Sequence, residues 1–120
     1  LKGDSTHPNV AKQIVSEWGN VSFDVIIDDG LHTPRANALT LRYLWPFLKP
    51  TGAYYVEDVW PIDIMSSAEM KHPWVVRHPE KYNQLEMEVF LRAIEGKTTK
   101  RFDVRKLSGE PDSYIIKVTQ

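Results

Sequence analysis

The sequence predicts an α/β fold built on a doubly wound sheet, mostly parallel, with an antiparallel pair of strands at its carboxyl-terminal edge. Residues 23–27 read as a strand, with an apolar run too short for a helix and too continuous for a half-exposed sheet, which is typical of a parallel strand covered on both faces. A helical segment and a second strand at residues 53–56 follow, in the order of a right-handed crossover. Two final strands, at residues 101–107 and 114–118, are joined by a short polar link that fits a hairpin.

Three segments have the one-sided apolar spacing of a helix, namely residues 8–18, 34–48 and 83–94. Pro8 stands at an early helical position, where proline is tolerated. Pro46 is expected to break the second helix, because a proline in a helix interior costs about 3 kcal/mol. The elements therefore follow the order helix, strand, helix, strand, helix and hairpin.

Two stretches are predicted to lack regular structure. Residues 49–52 read as a turn, and residues 59–80 are irregular and rich in proline, tryptophan and histidine. Long segments of this kind are often functional in compact domains, so a lid that faces a substrate is one interpretation. Packing of Trp60 and Trp74 over the sheet is the favoured one, because the histidines of the segment match no metal-binding spacing.

Composition narrows the class of protein. The 120 residues are treated as a single domain, residues 1–120, with 15 basic and 16 acidic side chains and a formal net charge of −1. This balance gives no electrostatic reason to expect nucleic acid or an anionic membrane as a partner. The absence of cysteine excludes disulfides and thiolate metal sites, and no apolar run reaches membrane-spanning length. A cytoplasmic protein is expected.

Acidic residues follow both strands of the predicted crossover. Asp28, Asp29 and His32 come after the first strand, and Glu57 and Asp58 come after the second. Ligands of open α/β sheets bind outside the carboxyl ends of strands that lie about 4.8 Å apart, so both corners are expected to face one crevice. Crowded carboxylates without cysteine favour a hard cation such as Mg²⁺. A histidine beside them is suited to take a proton at neutral pH.

A structural interpretation competes with this one. Asp28 or Asp29 would then cap the helix that begins near Pro34, and a lone histidine in a loop has many surface roles. Four carboxylates and a histidine at two adjacent strand ends make a binding site the favoured interpretation.

Two runs of the sequence resemble the metal-dependent sugar O-methyltransferases of the macrocin and mycinamicin type. They are Phe-Asp-Val-Ile-Ile-Asp-Asp-Gly-Leu-His at residues 23–32 and Leu-Lys-Pro-Thr-Gly-Ala-Tyr-Tyr-Val-Glu-Asp at residues 48–58. This family consists of class I S-adenosylmethionine enzymes with a Rossmann-like sheet. The resemblance implies a Mg²⁺-assisted, S-adenosylmethionine-dependent methyl transfer to a hydroxyl of a sugar or another small molecule.

The resemblance also implies roles for single residues. His32 would be the general base that takes the proton of the acceptor hydroxyl. Asp4 would approach the adenine of the cofactor, and Asp28 is assigned to cofactor binding with it. Three acidic residues would bind Mg²⁺: Asp29, Glu57 and Asp58.

The resemblance covers the carboxyl-terminal half of the family domain. The first strands and the glycine-rich cofactor loop have no counterpart here, and the six glycines form no Gly-x-Gly-x-x-Gly. We therefore expect this chain alone to bind S-adenosylmethionine weakly or not at all. The strand at residues 23–27 is expected to be an open sheet edge that favours homo-oligomers. The alternative function is a non-catalytic α/β module that self-associates through this edge, while a dehydrogenase fragment lacks the fingerprint that it needs.

Overall fold

The structure is a computed structural model and describes residues 1–120. The helices are α1 (Val10–Trp18), α2 (Pro34–Leu44), α3 (Pro73–Arg77), α4 (Gln84–Ala93) and α5 (Arg105–Ser108). The strands are β1 (Phe23–Asp28), β2 (Leu48–Val56), β3 (Thr98–Asp103) and β4 (Tyr114–Thr119), and two short 3-10 helices lie at Trp45–Phe47 and Glu69–Lys71. None of the helices combines the length and the apolar character that crossing a bilayer requires.

The four strands form one sheet in the order β1-β2-β4-β3. β1 and β2 are parallel, with Ile26 opposite Tyr54, whereas β4 runs antiparallel to both β2 and β3. The α/β class and the carboxyl-terminal hairpin are confirmed, but the sheet is not mostly parallel, because one of its three strand pairs is parallel and two are antiparallel. Residues 104–113 are too few for a parallel crossover, and β4 rather than β3 lies beside β2.

Helices α2 and α4 cover one face of the sheet. The buried strand residues on that face are Ile26, Tyr54, Val56, Ile116 and Val118. Leu41 of α2 packs into the same core with Met87 and Phe90 of α4. All three helical side chains are 1% exposed, so the core is closed on this side of the sheet.

The other face of β1 is open to solvent. Val25 and Ile27 alternate along the strand with the buried Ile26, and they are 53% and 58% exposed. β1 is also an edge strand, since it pairs with β2 on one side and with no strand on the other. An apolar edge strand of this kind is a template for pairing with another chain.

Three local predictions can be compared with the structure. Helix α2 ends before Pro46, as the proline predicts, and the chain continues as a 3-10 helix. Residues 49–52, predicted as a turn, lie within β2 as an irregularity in its pairing with β1. The predicted strand at residues 101–107 is wrong in its second half, where α5 forms and Gly109 closes it with a φ of 78°. Glycine adopts this left-handed conformation without the steric cost of a side chain.

Candidate metal and substrate site

The corners after β1 and β2 bring two carboxylates and one imidazole together. One possible ligand atom from each of Asp29, His32 and Asp58 lies within 4.8 Å of the others. His32 Nε2 is 3.2 Å from Asp29 Oδ1 and 3.9 Å from Asp58 Oδ2. The parallel pairing of β1 with β2 explains this convergence, because both strands end at the same edge of the sheet.

The backbone at Asp58 leaves the extended conformation of the strand before it. Its φ of 49° is the one positive value among the non-glycine residues. Aspartate is enriched several-fold in this left-handed region, and residues held in sparsely populated conformations cluster at functional sites. Asp29 is exposed, while His32 and Asp58 are half-buried. The cluster therefore opens to solvent, where a ligand can enter.

Asp28 has a different environment from its neighbour in the sequence. It is 4% exposed, and its Oδ2 accepts a hydrogen bond from Asn37 Nδ2 at 3.1 Å. Burial raises the pKa of the Asp28 carboxyl, while hydrogen bonds from Asn37 and from the Gly30 N–H act in the opposite direction. The buried Tyr54 hydroxyl lies beside this carboxyl without a hydrogen-bond partner of good geometry. The buried Asp28 carboxylate therefore stabilises the corner between β1 and α2 through its hydrogen bond with Asn37. The assignment of Asp28 to cofactor binding stays a prediction.

Neither aspartate caps the helix that follows. The N-cap of α2 is Thr33, whose Oγ1 accepts a hydrogen bond from the backbone N–H of Ala36 at 3.3 Å. Pro34 occupies the start of the helix, where its missing N–H costs nothing. The structural interpretation of Asp28 and Asp29 as caps is therefore wrong.

Two predicted site residues lie outside the cluster. Glu57 donates its backbone N–H to the Asp28 carbonyl at 2.9 Å, but its carboxylate is not among the grouped ligand atoms. Asp4 is exposed, and its Oδ1 accepts hydrogen bonds from the N–H and the hydroxyl of Thr6 at 2.9 and 2.6 Å. The hydroxyl bond is the main cause that lowers the pKa of the Asp4 carboxyl. Metal binding by Glu57 and cofactor binding by Asp4 stay predictions.

A cavity of about 470 Å³ opens beside His32. The loop after β1 forms one wall, and the segment between β2 and α4 forms the facing wall. The lining side chains from that segment are Trp60, His72, Trp74, His78, Lys81 and Tyr82. Glu110 and Asp112, in the link before β4, complete the lining. The volume lies in the range of roughly 300–1,000 Å³ that small-molecule sites occupy.

The sequence analysis favoured packing for this facing wall over a lid that faces a substrate, and the structure shows both packing and cavity-lining residues in it. Trp60 and Tyr82 are buried, with ring centroids 5.6 Å apart, as packing over the sheet requires. Trp74 is exposed instead, and its Nε1 donates a hydrogen bond to Tyr82 Oη at 3.0 Å. The signal in the sequence was the density of tryptophan and histidine in one irregular segment. That segment both closes the core and lines the cavity.

Two ion pairs attach the facing wall to the β3–β4 hairpin. Arg101 Nη1 lies 2.7 Å from Asp63 Oδ2, and Arg105 Nη1 lies 2.8 Å from Glu69 Oε2. Arg105 also donates to Asp103, and this hydrogen bond lowers the pKa of the Asp103 carboxyl to about 2. The position of the wall is therefore fixed from the sheet edge opposite β1.

The chain is similar in sequence to O-methyltransferases over about half of its length. No protein-family model matches the sequence. A demethylmacrocin O-methyltransferase from Streptomyces fradiae is 33% identical over 58 residues, which are 48% of this chain and 14% of the relative. A mycinamicin VI 2''-O-methyltransferase from Micromonospora griseorubida is 32% identical over 60 residues, 50% of this chain and 14% of the relative. The chain thus matches about one-seventh of the length of these curated relatives.

The similarity of fold extends further than that of sequence. A solved structure of the MycE methyltransferase from the mycinamycin biosynthetic pathway, in complex with Mg and SAH, superposes with a TM-score of 0.54. The match covers 99% of this chain and 30% of that one, at 18% identity. The chain therefore resembles the macrocin- and mycinamicin-type O-methyltransferases, in sequence over half of its length and in fold over nearly all of it.

Proposed function

We propose that these residues are the metal-binding and proton-accepting part of an S-adenosylmethionine-dependent, Mg²⁺-assisted O-methyltransferase. Its acceptor is a hydroxyl of a sugar or another small molecule, and its location is cytoplasmic. The observation that carries the proposal is the meeting of Asp29, His32 and Asp58 within 4.8 Å, beside a cavity of ligand size. The similarity to O-methyltransferases over about half of the chain supports it.

The donor set fits a hard divalent cation. The carboxylates of Asp29 and Asp58 offer the oxygen ligands that Mg²⁺ prefers, and their exposure leaves room for water and substrate oxygens. Two neighbouring carboxylates repel each other, and a cation between them removes that repulsion. Asp29 and Asp58 would hold the ion, with Glu57 as the third predicted ligand. When bound, the ion supplies Lewis-acid activation of the acceptor hydroxyl.

In this proposal, His32 takes the proton from that hydroxyl. Its Nε2 faces Asp29 Oδ1, so an Nε2–H donated to this carboxylate leaves Nδ1 as the nitrogen that accepts a proton. Asp29 then stabilises the imidazolium that forms, as a carboxylate partner of a general base does. The deprotonated oxygen is the nucleophile, and methyl transfer to it requires mainly in-line positioning of the two reactants.

We expect Asp58→Asn to weaken divalent-cation binding by at least about 10-fold, because even residues that only orient metal ligands contribute about 10–100-fold. Binding is measured by titration with Mn²⁺ and electron paramagnetic resonance, with Mg²⁺ as competitor. Asp24→Asn is the matched control, since Asp24 is an exposed carboxylate at the start of β1 that pairs with Lys49 at 2.9 Å. Equal Mn²⁺ affinity in the two variants would rule out the metal site.

The 120-residue chain is expected to bind S-adenosylmethionine with a dissociation constant well above micromolar. The reason is that the chain offers no Gly-x-Gly-x-x-Gly loop to receive the cofactor. A micromolar constant would correspond to a binding free energy of about −8 kcal/mol. Isothermal titration calorimetry with S-adenosylmethionine and with S-adenosylhomocysteine measures this directly. A micromolar dissociation constant would mean that Asp4 and Asp28 contribute far more to the cofactor site than the missing loop.

One observation favours a second candidate, a non-catalytic module that self-associates. Val25 and Ile27 expose an apolar face on an edge strand, which an isolated soluble chain seldom leaves uncovered. The two candidates differ in what Asp58→Asn does, because a purely structural module loses nothing when its acidic cluster is altered. The partner in this reading is a second copy of the chain.

A further inference from the structure

A second groove lies between helices α2 and α4, and it shares no lining residue with the cavity beside His32. Its volume is about 550 Å³. The floor is apolar and consists of Ala38, Leu41, Trp45, Val89 and Ala93. Nothing in the proposed methyl transfer uses this groove.

The rim of the groove is positively charged. Four cationic side chains line it, and no carboxylate does: Arg35, Arg42, Arg92 and Lys97. Arg35 is neutralised by Glu86, whose two oxygens accept from it at 2.7 and 2.9 Å. The other three form no ion pair, although the whole chain has a formal net charge of −1. The groove therefore concentrates positive charge on a protein that is slightly acidic overall.

The Lys97 ammonium is held in position at the groove by two contacts. Its ammonium donates a hydrogen bond to the Ala93 carbonyl at 3.3 Å and lies 4.9 Å from the centroid of the Trp45 ring. The side chain is thus folded back over the apolar floor, instead of extending into water as a surface lysine ordinarily does. The remaining donors of the ammonium are available to an anion that enters the groove.

We propose that this groove binds an amphipathic organic anion, in which an aromatic or aliphatic body carries a carboxylate, sulfonate or phosphate. The body would lie on the floor beside Trp45, and the anionic group would meet Lys97 and Arg92. Charge complementarity selects the anion, and the volume lies within the range of roughly 300–1,000 Å³ that small-molecule sites occupy. The proposal is independent of the proposed function.

Naphthalene-2-sulfonate is the test ligand, with 2-naphthol as its uncharged counterpart. Amide chemical shifts of the 120-residue chain, recorded during titration, give both the affinity and the location of binding. We expect perturbations around Trp45 and Lys97, and binding of 2-naphthol at least about 10-fold weaker. The substitution Lys97→Met keeps the apolar stem and removes the charge, so it should weaken sulfonate binding about 5-fold or more.

Lys100→Met is the matched control. Lys100 also lies over an aromatic ring, at 5.1 Å from the centroid of Phe102, but it is on β3 and outside the groove. The Lys100→Met substitution should leave the affinity for naphthalene-2-sulfonate unchanged. The amide spectra verify that both variants keep the fold. Three outcomes would overturn the proposal: equal affinity for sulfonate and naphthol, perturbations centred on Val25 and Ile27, or equal effects of the two lysine variants. Tighter binding of an acidic helical peptide than of the sulfonate would also overturn it, in favour of a protein partner.

Discussion

Replacing His32 with glutamine is expected to slow methyl transfer by about 10²–10⁴-fold, the usual contribution of a general acid–base residue. Glutamine keeps an N–H that can donate to Asp29 but cannot take a proton at neutral pH. Affinity for Mn²⁺ should stay within a few-fold, because Asp29 and Asp58 are unchanged. The rate is measured with S-adenosylmethionine, Mg²⁺ and hydroxyl acceptors, in the longest natural polypeptide that carries these 120 residues.

His78→Gln is the control for His32→Gln, because His78 lines the same cavity without being a proposed base. His78 lies in the facing wall, with its ring 4.6 Å from that of Trp74, and pairs with no carboxylate. We expect this variant to change KM for the acceptor more than kcat. If His32→Gln keeps its rate within about 10-fold, His32 is not the base. If the rate and the Mn²⁺ affinity fall together, His32 is a metal ligand instead.

The chain is expected to self-associate at tens of micromolar concentration, and Ile27→Lys is expected to weaken that association by about 10-fold. An antiparallel pairing of two β1 strands about a two-fold axis would place Val25 and Ile27 of one copy beside those of the other on the open face, and cross-strand apolar pairs contribute roughly 0.2–1 kcal/mol each. A lysine at the same position removes its apolar contact and places like charges close together across the axis. Sedimentation velocity over a concentration series measures the change.

Leu107→Lys controls for added charge alone. Leu107 lies on α5, is 89% exposed and is remote in sequence from the β1 edge. The variant should associate like the unchanged chain. A monomer at tens of micromolar before any substitution would contradict the prediction, and so would an equal effect of the two lysine substitutions.

The meeting of acidic residues and His32 at one edge of the sheet was predictable because it follows from the parallel pairing of β1 with β2. Parallel neighbours end at the same edge of a sheet, and residues just beyond those ends must lie close together. Which acidic side chains at these strand ends join the cluster was not predictable, because this depends on the backbone angles of single turn residues, such as the φ of 49° at Asp58. Sequence patterns report strands and helices but do not give the backbone angle of one turn residue.

The sheet order and the facing wall were beyond prediction for a different reason. Nothing in the local pattern of β4 distinguishes a place beside β2 from a place at the edge, since either position pairs it with β3 in a hairpin. The wall depends on pairs distant in sequence, such as Arg101 with Asp63 and Arg105 with Glu69. Contacts between such distant residues leave no periodic trace in one sequence.

The cavity is assembled from two pieces that can change independently. His32 in the loop after β1 lines the cavity beside the acidic cluster, whereas most of the facing wall belongs to the long segment between β2 and α4. This segment meets the hairpin through side chains at Asp63 and Glu69, so replacing an exposed lining residue such as Trp74 changes the cavity wall while the core residues and the strands are left alone. Under the proposed function, substitutions in this wall would therefore change the choice of acceptor while the reactive groups stay fixed. The same division would allow the wall of a related chain to be transplanted without altering the proposed reactive groups.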